Sequence, residues 1–419
     1  MNGTADRSYR EIPPLLEHRA IICMGPGGVG KTTCSAALAL TAAKHGKKTL
    51  VCTLDPAHRL CSALGLTELP HVPRPLPSEN LKEAGLDPDL PLFAMQLDPA
   101  VAFKLSLESG NLPQKTIRNL SENRLYRRIV KDIEGVYAYA AAAQILDLLR
   151  DDQWELVVLD TPPTRHIKSI LKAPRILAGA VKSPLFRFLA APAALTGKIG
   201  MKLTGKRVLK DMSLVTGASF LKDIGDFVRI IAEMADFLLR DAGQAQSLLS
   251  SESTAYIIVT IPTLSRIEEC VSLSENLAEY NMKTAGFMVN RFHPIFPVEA
   301  EVPDEQALAK QIAEMCSKYG TAPNDRESRD EATRNECLEA ARDLLELHRN
   351  YEALVEKETE VLQFLYRKID PGTLLLTIPL LDHDLEVLAD LADVSESISR
   401  QLQKQSSMNS LRKPPHGSA

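Results

Sequence analysis

Short, uninterrupted apolar runs recur along the chain, separated by longer stretches in which apolar residues return every three or four positions. The runs are RAIICM at 19–24, then Thr49 to Leu54, Leu92 to Leu97, Glu155 to Leu159, Ala255 to Thr260, Ala285 to Val289 and Thr373 to Ile378. Several are too apolar to have a wet face. A half-exposed strand alternates, so unbroken runs predict strands of a parallel sheet covered on both sides. With helical pattern between them, the fold class is α/β, a doubly wound, mostly parallel sheet whose ligand belongs beyond the carboxyl ends of the strands.

Two intervals, about 100–150 and about 165–250, contain no strand pattern and predict helical insertions; Phe220, Ile224, Phe227, Ile231, Met234 and Phe237 keep helical spacing in the second. Within it, residues 176–203 are apolar and rich in small residues, with Lys182, Arg187 and Lys198 but no acidic residue. Such a surface suits apolar clients or a membrane face, and core helices broken by Pro184 and Pro192 read the same way. Residues 328–368 form a charged amphipathic pattern with Leu344, Leu347, Tyr351, Leu354, Val361 and Leu365 on one stripe. That pattern fits a solvated helix packed along one face, with a dimeric coiled coil as the alternative. The expected organisation is an N-terminal extension over 1–18, a single domain over 19–403 and a disordered polar tail over 404–419.

The first strand runs into GPGGVGKTT at 25–33, and this changes the picture from fold to chemistry. Gly25, Gly30, Lys31 and Thr32 fill the pattern G-x-x-x-x-G-K-[ST], and Gly27 and Gly28 let successive N–H groups around Val29 turn toward phosphate oxygens. Lys31 is placed to reach the β- and γ-phosphates, and the Thr32 hydroxyl to reach a bridging Mg²⁺, with Thr33 next in the helix. Strand, loop and helix N-terminus is a phosphate-binding arrangement.

A phosphate loop does not by itself separate a kinase, a GTPase and an ATP-driven switch. Two aspartates at later strand ends narrow the choice. Asp55 opens DPAHRL after the second strand, where a carboxylate can orient an attacking water; Asp160 ends ELVVLD, the position of a residue that holds Mg²⁺ through its water shell. Either one alone reads equally well as a turn former or helix cap.

Composition excludes more than it selects. A net charge of −5, with 45 % apolar and 25 % charged residues, is that of a soluble globular chain and argues against a general nucleic-acid surface. No apolar leader segment or spanning run is present, so a cytoplasmic protein, at most peripheral to a membrane, is expected. The seven cysteines contain no C-x-x-C pair and read as reduced buried thiols.

In order and spacing, GPGGVGKTT, LDPAHRL (54–60), LFAMQLDP (92–99), LDTPPTRHIKSIL (159–171), VTIPTLSRIEEC (259–270), VNRFHP (289–294) and IPLLDHDLEVL (378–388) resemble the ArsA-type anion-transporting ATPases. These are P-loop NTPases of the deviant Walker A type. The family includes the arsenical-pump ATPase and the ATPase that delivers tail-anchored proteins to membranes; the DTPP variant is similar to bacterial ArsA-related members. The resemblance implies that Asp55 is the first-switch aspartate that positions water, with His58 in the same switch. It implies that Asp160 is the second-switch aspartate at the magnesium site, with Thr161 and Thr164 in the moving loop. Asn290 falls where the family contacts adenine, and Pro379 and Leu380 border the same base, which favours ATP over GTP. A homodimer that closes on ATP and a helical subdomain that holds cargo are implied likewise.

Two departures qualify the resemblance. The family's second loop lysine, which crosses the dimer, is replaced by Pro26, which carries no charge. Arg165 and Arg59 are the candidates to supply that charge, with surface ion pairs as the plainer role for each. The segment after VNR offers only Cys316 and Cys337, so zinc is not expected, and His293 and His383 read as packing or surface residues. Three functional readings follow: a dimeric Mg²⁺-dependent ATPase coupled to a client or membrane partner, a poorly hydrolysing scaffold or heterodimer subunit beside a lysine-bearing paralogue, and a positioning ATPase of the ParA and MinD kind.

Overall fold

The computed structural model of the chain describes residues 12–54, 59–98, 144–162, 232–294, 302–318, 329–381 and 388–412, with isolated positions at 113, 115, 118, 179, 182–183 and 230. Eight strands form one sheet: β1 (Ala20–Met24), β2 (Thr49–Thr53), β3 (Arg74–Pro75), β4 (Leu92–Gln96), β5 (Leu156–Asp160), β6 (Thr254–Thr260), β7 (Thr284–Phe292) and β8 (Leu374–Pro379). Their order is β3-β4-β2-β5-β1-β6-β7-β8. Every pairing is parallel except β3 with β4. The short strand β3 was not foreseen from the sequence. It is two exposed residues held as an edge, too short to carry a hydrophobic period.

Both sheet faces are covered, which is why the central strands have no polar alternation. On β1, Ile21 and Cys23 enter one apolar cluster while Ile22 and Met24 enter the other. The first cluster lies beneath α1 (Lys31–Lys44), α2 (Arg59–Ala63), α3 (Ser78–Glu83) and the C-terminal α8 (Leu388–Arg412). The second is closed by residues 144–150, α4 (Ala235–Leu249), α5 (Leu264–Ala278) and the lower part of α7 (Arg329–Lys368), whose Leu365 is fully buried. The alanine-rich α1 is sandwiched between the sheet and α8, and its own small side chains let both approach closely. Thr41 Oγ1 lies 3.0 Å from Ser395 Oγ at that helix contact.

α6 (Glu305–Lys318) and α7 form a hairpin with its own small core, Ala309 against Cys337 and Ala341. α8 carries helix to Arg412, past Lys404 where the sequence reading begins a disordered tail; Gln401 explains part of this, since its amide bonds both Thr377 N and Thr377 O at 3.0 and 2.7 Å and so caps the open edge of β8. Among the described residues, no helix is long and apolar enough to cross a membrane. Most of the two helical insertions, including 176–203, lies outside the described residues.

Candidate functional site

The loop between β1 and α1 is shaped by backbone conformations that side chains resist. Gly25 has φ +153° and Gly30 φ +88°; a Cβ on Gly25 would stand 2.1 Å from Val259 O, and one on Gly30 2.1 Å from Asn290 Nδ2. The loop is therefore packed from beneath by β6 and β7 and has no room for larger residues there. Gly30 caps α1 without a side-chain hydrogen bond, leaving the first-turn N–H groups of Lys31, Thr32 and Thr33 directed to the loop's mouth.

Lys31 is only 8 % exposed, and its Nζ donates to Pro26 O at 2.8 Å across the loop. Register brings the acidic partner: β1 and β5 pair Cys23 with Asp160, and β2 and β5 pair Thr53 with Asp160. The Asp160 carboxylate, 1 % exposed, accepts from Thr32 Oγ1 at 2.8 Å and from Thr53 Oγ1 at 2.9 Å through one oxygen, Oδ2. Thr161 Oγ1 donates to Cys23 O at 2.7 Å and pins the chain as it leaves β5. Burial raises the thiol pKa of Cys23 to about 12, and those of Cys34 and Cys52 are raised by the same cause. These thiols stay neutral and are packing groups, not nucleophiles.

Asn290, at the end of β7, donates from Nδ2 to Val29 O at 2.9 Å. Pro379 ends β8 and pairs with Phe292, with Leu380 half-open beside it. A cavity of about 380 Å³ flanks Pro379, but it is walled by Val394, Ser397, Arg400 and Lys404 of α8 and by no loop residue, so it is separate from the phosphate site.

The structure thus brings together Gly25, Gly27, Gly28, Val29, Gly30, Lys31, Thr32, Thr33, Asp160 and Asn290. Asp55, His58, Thr164, Arg165 and His383 lie outside the described residues. Arg59, the first residue of α2, is exposed. His293 is held by a polar contact, its Nδ1 lying 2.7 Å from Glu358 Oε1. Sequence reasoning missed Thr53 and Glu358, which become visible only through strand register and a long-range contact.

The donor set suits a nucleotide with a magnesium ion. A glycine cradle that a Cβ would fill, a lysine at its centre, and a hydroxyl in contact with a buried carboxylate at the helix start match the demands of a phosphate chain and a hard, oxygen-seeking cation. Thr32 and Asp160 are the residues that can hold the ion.

An eight-stranded, mostly parallel sheet with this loop at its switch region defines a phosphate-loop nucleotide-binding protein of the α/β class. The model of the anion-transporting ATPase family matches residues 18–319, and the chain belongs to that family; it is an ATPase. Among similar proteins, "ATPase get3" of Aspergillus terreus is 27 % identical over 290 residues, 68 % of this chain and 76 % of its own length. "ATPase GET3C" of Arabidopsis thaliana is 24 % identical over 310 residues, 68 % and 70 % of the two chains. "ATPase GET3" of Paracoccidioides lutzii is 27 % identical over 303 residues, 72 % and 79 %.

Proposed function

We propose that this ATPase is a Mg²⁺-dependent, cytoplasmic switch that works as a dimer and couples its nucleotide state to a protein client or a membrane partner. The observation that carries the reading is the Thr32–Asp160 contact of 2.8 Å directly behind Lys31. A buried carboxylate and a helix-start hydroxyl beside the phosphate loop could together hold a hydrated Mg²⁺ ion, which supports this reading. When bound, the ion neutralises charge on the phosphates. Lys31 exchanges Pro26 O for phosphate oxygens, the first-turn N–H groups of α1 orient them, and Asp55 positions the attacking water. Asn290 and Pro379 border the base.

The decisive experiment is ATP turnover of purified protein of known oligomeric state, with and without Asp55→Asn. Turnover that is lost in the variant while ATP still binds supports the switch; equal turnover in both sinks the role of Asp55.

One observation favours a second reading, a nucleotide-binding scaffold or heterodimer subunit that hydrolyses slowly. Position 26 supplies a carbonyl to Lys31 and no cation, so charge from across a dimer must come from elsewhere. Micromolar ATP binding with no turnover by the wild-type chain is the outcome that selects it.

A further inference from the structure

Asn290, Phe292 and His293, at and just past the carboxyl end of β7, touch three different parts of the molecule. Asn290 Nδ2 holds Val29 O of the phosphate loop at 2.9 Å. Phe292 O accepts the N–H of Leu380, just past β8, at 2.8 Å. His293 is gripped twice by Glu358 of α7: its backbone N–H lies 2.9 Å from Oε2 and its Nδ1 2.7 Å from Oε1. Tyr351, two turns earlier on the same helix face, donates its hydroxyl to Pro294 O at 2.7 Å and meets the His293 ring edge-on at 5.7 Å between centroids. Glu358 is only 6 % exposed, so a buried carboxylate is committed to this one histidine.

The backbone between these contacts is strained. Arg291 has φ +58°, and the β7–β8 register shifts between Val289 and Phe292. A non-glycine residue held left-handed is strained, and such strain persists only where its surroundings over-determine it. Here it is fixed from both sides, by the loop at Asn290 and by α7 at His293.

We propose that Asn290 to His293, together with Glu358, form the junction through which the α6–α7 hairpin senses the state of the phosphate loop. This rests on the reading that the loop binds nucleotide. Val29 O cannot shift as phosphates engage the loop without breaking its bond to Asn290 or pulling on the end of β7. Arg291 is where that pull becomes rotation. The double grip of Glu358 passes the rotation to α7, which is anchored at its lower end by Leu365 but exposes Leu344, Leu347 and Leu354 above. From Glu358 to the start of the helix is about 40 Å at 1.5 Å per residue, a lever long enough to magnify a small turn at its foot.

The chain carries its own reporter position. Cys316, near the connecting end of α6, is exposed, while the other six cysteines are buried. The full-length protein is labelled at Cys316 with a solvatochromic dye and titrated with Mg²⁺–ATPγS, and nucleotide binding is followed in parallel by calorimetry. The expected result is a dye response in the wild type that saturates with the calorimetric Kd. In Glu358→Ala and Tyr351→Phe its amplitude falls about fivefold while Kd stays within about threefold, the signature of lost coupling rather than lost binding. Glu358→Gln, which keeps an acceptor for His293 N–H, recovers part of the amplitude. Tyr351→Phe preserves shape and decides the matter if Glu358→Ala does not fold. Nucleotide binding with no dye response, or full response in both variants, overturns the junction alone. Absence of nucleotide binding to the wild type overturns the underlying reading and the junction with it.

Discussion

Thr32 Oγ1 and Thr53 Oγ1 converge on a single carboxylate oxygen, Oδ2 of Asp160, at 2.8 and 2.9 Å, so one buried aspartate ties the start of α1 to the ends of β2 and β5. Two hydroxyl donors on one oxygen fix the orientation of this buried carboxylate beside the start of α1, where under the proposed function it would hold a Mg²⁺ ion. Asp160→Asn keeps the shape and removes the charge. ATP turnover is expected to fall by about 10² or more, as for other losses of a preorganised charge. ATP affinity in the presence of EDTA is expected to change little. Mg²⁺ titrations of turnover and binding check this, and an unchanged magnesium dependence argues against Asp160 as an ion ligand.

Pro26 occupies the position at which the family resemblance places a second lysine, and its carbonyl holds Lys31 instead. If a cation missing from across the dimer limits hydrolysis, Pro26→Lys raises kcat by about tenfold or more with a small effect on KM, since arginine-finger-type charges act in the transition state. Steady-state kinetics on wild type and variant check it. Equal kcat values assign the charge to another residue or remove the need for it.

The thiols divide sharply by environment. Only Cys316 is exposed, so one fast-reacting thiol is expected in a titration of the native chain with an aromatic disulfide. Burial pushes the Cys23 and Cys270 thiols up to about 12 in the folded chain. In the unfolded chain they ionise near 9, so between about pH 9 and 12 the folded state binds more protons than the unfolded one. Stability is then lost as pH rises, by up to about 1.4 kcal/mol per pH unit for each such thiol. Urea midpoints at pH 8 and pH 10.5 test the sign. A midpoint that does not fall over that interval contradicts the burial effect.

Much of this architecture was legible because the relevant signals are local. The runs that form β1, β2, β5 and β6 are buried on both faces, and continuous apolarity marks such strands directly. The phosphate loop is contiguous, and its glycines are demanded by the same close approaches that the structure measures at Gly25 and Gly30. Thr53 was not legible. Its role depends on its register with Asp160, a pairing of strands 107 residues apart that nothing local encodes. Glu358 was hidden for the same reason, as one acidic residue on a highly charged helix until β7 sets His293 against it. Edge strand β3 escaped because two exposed residues show no period.

Gly30 and Asn290 provide a test of the loop's packing that separates shape from chemistry. A Cβ on Gly30 meets Asn290 Nδ2 at 2.1 Å, a distance that forces the side chain or the loop to move, and φ +88° is strained for alanine in any case. Gly30→Ala therefore carries two penalties, a steric one that depends on Asn290 and a conformational one of about 1 kcal/mol that does not. Asn290→Ala removes the bond to Val29 O and opens the space the new methyl needs. ATP affinity is expected to fall about tenfold or more in Gly30→Ala. In the double variant the loss is expected to be smaller than the product of the two single losses, with a coupling of about 1 kcal/mol, the range found for residues in contact. Calorimetry on the four proteins of the cycle measures it. Strict additivity means that the loop moves away from Asn290 instead of pressing against it, and that the β7 end is not the floor on which the phosphate loop rests.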